Sequence, residues 1–260
     1  MTLADDDRSR DRVQSVVRAF ALLELMSEAN GVMGVTELGR LSGMAPPTVH
    51  RLMRTIVDLG YARQVSSRQY VLGPKLSALG SSATSVLGLW AGPVLRQLVD
   101  EVEESANFAV LEGHEVVYVA QAPGRHSMRM FTETGRRAAA HATAVGKAIL
   151  AELPDDTIDV MFAPSAMASQ TQNTITSLPT LKRELRAVRR RGYATDEEEQ
   201  EVGVRCVAVA IPDSTVLGAV SISGPAGRMT EDVIDAAIPK LRHAATQLTA
   251  NFGQASGRLN

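Results

Sequence analysis

The stretch Ser42-Gly43-Met44-Ala45-Pro46-Pro47-Thr48-Val49-His50-Arg51-Leu52-Met53-Arg54-Thr55-Ile56-Val57-Asp58-Leu59-Gly60 decides the fold of the N-terminal region. Ser42-Gly43 makes a tight turn. Pro46 and Pro47 suit the first turn of a helix, where the N–H they lack has no partner anyway. The helix runs to Leu59, and Gly60 stops it. Val49, Leu52, Met53, Ile56 and Val57 fall at i, i+3, i+4, i+7 and i+8, a complete core face. The opposite face is centred on Arg51 and Arg54, flanked by Pro47, Thr48, His50 and Thr55.

Working outward, Val13, Val16, Val17, Phe20 and Leu23 predict an amphipathic helix from about Asp11 to Glu28 with that stripe inward, ended by Asn30-Gly31. A short helix follows over Thr36–Leu41, with Leu38 and Leu41 inward. Tyr61–Val65 and Gln69–Leu72 read as strands around Ser66-Ser67-Arg68, and Gly73-Pro74 closes the unit. Three helices, a glycine turn and a basic hairpin form a winged helix-turn-helix over 9–75. Its third helix is shaped to enter the major groove of double-stranded operator DNA. Pro47, Thr48, His50, Arg51 and Arg54 are the candidate contacts of that helix, and Arg63 and Arg68 of the wing reach backbone phosphate. A generic three-helix core with a polar outer face is the competing reading. Spacing, turn residue and polarity all agree with the DNA reading.

Charge supports it by its distribution. The net charge of −2 says little. Residues 1–75 carry ten basic and eight acidic residues, leaving +2; the rest, with 17 and 21, carries −4. A basic patch in an acidic chain is the asymmetry of a phosphate-contacting module. At 260 residues two unequal domains are expected. The apolar content of 45% and charged content of 22% fit a soluble globular chain rather than a disordered one. No apolar run suggests a membrane span, and the acidic N-terminus lacks a secretory pattern. Cys206 is the single cysteine, which excludes an internal disulfide or a cysteine zinc cluster. The expectation is a cytoplasmic protein without cofactor and with no membrane partner.

Leu76, Leu79, Ala83, Val86 and Trp90 predict a linker helix over 76–90. Beyond it, over 91–254, helices are expected at Val94–Val102, Thr143–Leu153, Leu181–Arg191 and Glu231–Phe252. Strands are expected at Ala109–Leu111, Val116–Ala120, Met128–Thr132, Arg205–Ile211 and Leu217–Ser223, with a surface loop over Ala163–Ser177. That order is an α+β domain with an antiparallel sheet. Neither a G-x-S-x-G elbow nor a G-x-G-x-x-G turn is present, and Gly146-Lys147 lacks the remainder of a phosphate loop. Instead, His141-Ala142-Thr143-Ala144-Val145-Gly146-Lys147 opens a helix, whose first N–H groups at Ala144 and Val145 favour an anion. Ser221 and Ser223 share one face of their strand, with Cys206 on the neighbouring strand. Asp196 sits in the acidic run Thr195–Glu199. Each has a plainer alternative: a small buried cysteine, serines at the edge of a ladder, a structural His141, a solvated acidic face. A hydrolase using Ser223, His141 and Asp196 is the alternative function.

Read together, these residues resemble a known family over about Arg12 to Phe252. In the first domain they are Val13-Gln14-Ser15-Val16, Thr36-Glu37-Leu38, Thr48-Val49-His50-Arg51-Leu52, Gly60-Tyr61 and Tyr70-Val71-Leu72-Gly73-Pro74. In the second they are His141–Lys147, Gly192–Glu198, Gly203-Val204-Arg205-Cys206 and Ser221-Ile222-Ser223-Gly224-Pro225. The chain resembles the isocitrate-lyase-regulator (IclR) type of bacterial transcriptional regulators. The resemblance implies a profilin-like, GAF-related effector-binding domain after the winged domain. It also implies homodimers joined through the N-terminal domains, often paired into a dimer of dimers, and a small organic or aromatic acid as effector. The family's ligand positions fall on Ala144, Val145, Asp196, Cys206, Ser221 and Ser223. Ala144 stands where relatives often have glycine, and Val145 is bulkier than the alanine of some, so the space at the helix start is narrowed. The loop Pro212–Thr215 is shorter than the family pattern.

Overall fold

The computed structural model describes residues 13–29, 31–65, 69–162, 167–212 and 216–255. The chain divides into two compact units, Met1–Ala83 and Thr84–Asn260.

In the first unit, α1 spans Gln14–Glu28, β1 Val32–Gly34, α2 Val35–Ser42, α3 Pro46–Asp58, β2 Ala62–Gln64 and β3 Gln69–Leu72. Gly43 turns the chain between α2 and α3 with φ at +68°, a left-handed conformation that costs glycine nothing. The Ser42 hydroxyl closes that turn, donating to Leu38 O at 2.5 Å and accepting from Met44 N–H at 3.3 Å. Leu22, Met26, Met33, Leu38, Val49, Met53, Ile56, Ala62 and Tyr70 form the core. The three strands form one antiparallel sheet in the order β1-β3-β2, so β1, which the sequence reading lacked, completes the wing.

Two expectations fail here. The stripe Val13, Val16, Val17 and Phe20 does not face the core; these side chains are 65, 51, 45 and 60% exposed, and Leu22 and Met26 carry the burial instead. Helix α1 is apolar nearly all round, so periodicity alone does not choose its inner face. Leu41 also points outward, at the end of α2. Asn30, the wing tip 66–68 with Arg68, and positions 213–215 of the short loop lie outside the described residues.

The helices expected over 76–90 and 94–102 are one helix, α4, Lys75–Val102, which continues through Pro93. By length and composition it could cross a membrane, with a window of mean hydropathy 1.2 that the sequence reading missed because serine and glycine interrupt it. Its second half is a core element: Ala91, Val94, Leu95, Leu98 and Val99 are buried.

The second unit continues with β4 (Ser105–Glu112), β5 (Glu115–Ala122), β6 (Arg137–Ala139), α5 (Ala144–Ala151), α6 (Asp155–Phe162), α7 (Leu178–Arg191), β7 (Ala194–Glu197), β8 (Val204–Ala210), β9 (Gly218–Pro225) and α8 (Glu231–Ala255). Six antiparallel strands run in the order β6-β5-β4-β9-β8-β7. One face carries Phe108, Val207, Val209, Val220 and Ile222 against α4 and α8. The other carries mostly alanines, Ala109, Ala194, Ala208 and Ala219, under α5, α6 and α7. Small residues let α5 approach closely. A Cβ on Gly146 would lie 2.1 Å from Ala140 O, so only glycine fits. Met128–Thr132, expected as a strand, has no ladder partner. It is held by its carbonyls instead: Ser105 donates to Met130 O at 2.6 Å, and Arg228 to Met128 O at 2.9 Å. The acidic run begins within strand β7, whose positions alternate between buried and half-buried, and continues past its end at Glu198 and Glu199.

Candidate functional site

In the first unit, α3 presents Pro47, His50, Arg51, Arg54 and Thr55 to solvent, with Thr48 half-buried beside them. Val49, Met53 and Ile56 fix this orientation by filling the core. Arg63 is exposed on β2. Among the described residues none of Arg51, Arg54 and Arg63 has an ion-pair partner. Three guanidinium groups without ion-pair partners on one small unit are suited to phosphate and to base edges, to which a guanidinium can make paired hydrogen bonds.

In the second unit, sheet register builds a cavity. Asp196 lies opposite Cys206, and Cys206 opposite Ser223. Side chains alternate along each strand, so these three share the face that α5 covers. They line a cavity of about 30 Å³ together with Tyr118, Met130, Thr132, Arg136, Ala138, Gln200, Glu201 and Val204. Ser221 stands two positions from Ser223 on the same face and is buried, as are Ala144 and Val145 at the start of α5; these three are not among the lining residues. At that helix start the Thr143 hydroxyl caps Gly146 N–H at 3.1 Å, and Lys147 N–H makes the first helical bond, to Thr143 O at 2.9 Å; neither bond involves the N–H groups of Ala144 and Val145.

Burial sets the electrostatics. Asp196 is pushed up to about 7, first by loss of solvent, partly offset by the Glu199 N–H, with the Glu199 carboxylate raising it further. Its Oδ1 accepts the N–H groups of Glu199 at 2.7 Å and Gln200 at 3.3 Å, which shapes the loop after β7. Burial also raises the Cys206 thiol and the Tyr118 hydroxyl, so both stay protonated. Asn107 donates from Nδ2 to Ser223 Oγ at 3.2 Å, while its own Oδ1 is buried without a partner. Beneath the loop, Lys147 and Glu199 form a buried ion pair.

Tyr118, Arg136, Gln200 and Asn107 escaped the sequence reading. Tyr118 left a trace, a polar-tipped aromatic within the valine-rich run of β5. The hydrolase alternative finds no geometry. The His141 ring pairs with Ala168 O at 3.2 Å and meets Phe162 edge-on, and burial lowers its basicity. Ser223 is bonded to Asn107, and no hydrogen bond joins it to His141.

The IclR helix-turn-helix domain family matches residues 15–66, and the family described as bacterial transcriptional regulator IclR, C-terminal, matches 85–250. The transcriptional repressor IclR of Escherichia coli is 35% identical over 249 residues, covering 93% of this chain and 91% of the relative. The HTH-type transcriptional regulator KdgR of Escherichia coli is 33% identical over 258 residues, covering 97% and 98%. The crystal structure of IclR from Thermotoga maritima superimposes with a TM-score of 0.62 at 29% identity, covering 93% of this chain and all of that one. An outward basic helix in one unit, an inward polar cavity in the other and relatives named as regulators lead to one conclusion: this chain belongs to the IclR family of DNA-binding transcriptional regulators and is not an enzyme.

Proposed function

We propose that the protein is a repressor that leaves its operator when a small organic or aromatic acid enters the second unit. The carrying observation is the size and lining of the cavity. About 30 Å³ holds a water or two, not an organic acid. A ligand that widens the cavity on binding prefers one conformation of the domain to another. Such differential affinity is what couples a ligand to a distant property. Several relatives are named as repressors, which supports that sign of regulation. Asp196, Cys206 and Ser223 are the contacts of the present cavity; Ala144, Val145 and Ser221 join them as it widens. Asp196, protonated or not, pairs with a hydroxyl, amide or ammonium of the ligand rather than repelling it.

On the DNA side, Pro47, Thr48, His50, Arg51 and Arg54 contact the major groove, and Arg63 with Arg68 contacts backbone phosphate. A single winged domain reads few base pairs, so the working unit is a homodimer on an inverted repeat, able to pair into a dimer of dimers. The exposed stripe Val13, Val16, Val17 and Phe20 along α1 and just before it, or else the helix stretch Leu76–Trp90, is the proposed seam. The protein works in the cytoplasm, with the DNA.

Anisotropy titration of the DNA upstream of the chain's own reading frame tests the whole. Saturable, salt-sensitive binding that an acid weakens is expected. Binding that no acid alters removes the ligand response, and absence of specific binding removes the regulator. Sedimentation showing a Phe20→Asp dimer as stable as the wild type removes the α1 seam and leaves Leu76–Trp90.

A further inference from the structure

Two neighbouring arginines sit in very different surroundings at the edge of the sheet. Arg137 is fully engaged: it donates to Glu112 at 2.7 and 2.8 Å and to Glu115 at 3.0 Å. Arg136 lines the cavity, and its guanidinium has one counter-charge, Glu201, at 4.0 Å and without a hydrogen bond. Its backbone is nonetheless pinned: Arg136 O accepts Tyr118 N–H at 3.0 Å, and Arg136 N–H donates to Glu133 O at 3.0 Å. The base of the side chain is fixed, and its head is held only by that loose contact.

Resting on the reading of this cavity as an acid-binding effector site, we infer that Arg136 takes the acid's carboxylate, giving up its loose pairing with Glu201. Two observations carry this. Among the described lining residues Arg136 is the one cation, and the carboxylate it meets is Glu201. The pairing to be broken is weak: Arg136 and Glu201 are 42 and 53% exposed, and solvated pairs of this kind contribute little. A guanidinium and a carboxylate make two parallel hydrogen bonds, stronger and more directional than the ion contact they replace. Asp196, Tyr118 and Gln200, whose buried Oε1 has no partner, then read the uncharged end of the ligand. The site is selective for acids over their amides, and the selecting residue is Arg136.

Calorimetry with benzoate, pyruvate, benzamide and pyruvamide tests this on the full chain and on Arg136→Gln, Glu201→Gln and Ser223→Ala. Wild type should bind at least one acid and prefer it to its amide. Arg136→Gln should weaken that acid by about 10- to 100-fold, the loss of a charged hydrogen-bonded pair, and leave the amide unchanged. Glu201→Gln should tighten the acid by up to about fivefold, because its competitor is gone. An acid affinity unchanged in Arg136→Gln but lost in Ser223→Ala overturns the assignment and leaves the pocket standing. Amides binding wild type as tightly as acids overturns it also, as does failure of every acid to bind. Acid binding that depends on Arg136 but never alters operator affinity upholds the assignment and removes the regulatory reading instead.

Discussion

The two units differ in how they use arginine. In the first, Arg51, Arg54 and Arg63 stand in solvent without ion-pair partners among the described residues. In the second, Arg125, Arg137, Arg189, Arg191, Arg205 and Arg228 are each paired with a carboxylate. The polar groups that matter follow the same division. On α3 they point out, on one helix, within eight positions of one another. In the cavity they point in, from β5, the segment before β6, β7, β8 and β9. A partner that is a polyanion of fixed shape is met by an exposed, locally encoded surface. A small ligand must be desolvated, and that requires walls drawn from many parts of the chain.

The largest expected effect is on the buried ion pair of the second unit. Lys147→Met leaves Glu199 buried without its cation and should cost about 3–5 kcal/mol in urea unfolding. Lys147→Met with Glu199→Gln should recover most of that loss. If the single variant unfolds like wild type, charge pairing does not hold the second unit together as it holds its arginines.

Next comes pH. The folded state keeps the Asp196 proton up to about pH 7, whereas the unfolded chain releases it near the ordinary value of 3.8. The folded state therefore binds more protons between those limits. Stability from this group is full below about pH 4 and falls as pH rises towards 7, by up to about 1.4 kcal/mol per pH unit. Asp196→Asn keeps an Oδ1 to accept the Glu199 and Gln200 N–H groups and removes the titration. Its stability should exceed that of wild type at pH 8 and converge with it at pH 4. Parallel profiles would show that the carboxyl is not desolvated, and that the inward half of the comparison is overstated.

On the outward side, Arg51→Ala or Arg54→Ala should lose about 1–3 kcal/mol of discrimination between operator and scrambled DNA, measured by competition. Normal discrimination in both would mean that α3 is not the reading surface. The smallest effect is expected at Arg63. Arg63→Ala should weaken all sequences alike and flatten the salt dependence by about 0.9 in slope, one phosphate contact. A sequence-selective loss there would turn the wing from a clamp into a reader.

Legibility differs between the units for a physical reason. The faces of α3 were readable because a helix repeats every 3.6 residues, so Val49, Met53 and Ile56 inward force Arg51 and Arg54 outward. The stripe on α1 was visible too, but a stripe records apolarity and not what covers it; Leu22 and Met26 took the core. Strand β7 was hidden because its charges suggested a solvated run, although Ala194 and Asp196 alternate inward with the period of a strand. Motifs brought Asp196, Cys206 and Ser223 to notice one at a time.

The sequence by itself determined the winged unit, the outward face of its third helix, the antiparallel second unit and the family resemblance. Each rests on contacts between neighbours in the chain or on ordered local motifs. The tertiary structure alone decided that Asp196, Cys206 and Ser223 meet, that Arg136 and Tyr118 join them, and that Lys147 finds Glu199. These pairings depend on strand order and register, which bring Asn107 to Ser223 across 116 positions. No local period encodes a meeting at that distance; it is fixed only when the whole sheet closes on its two layers of helices.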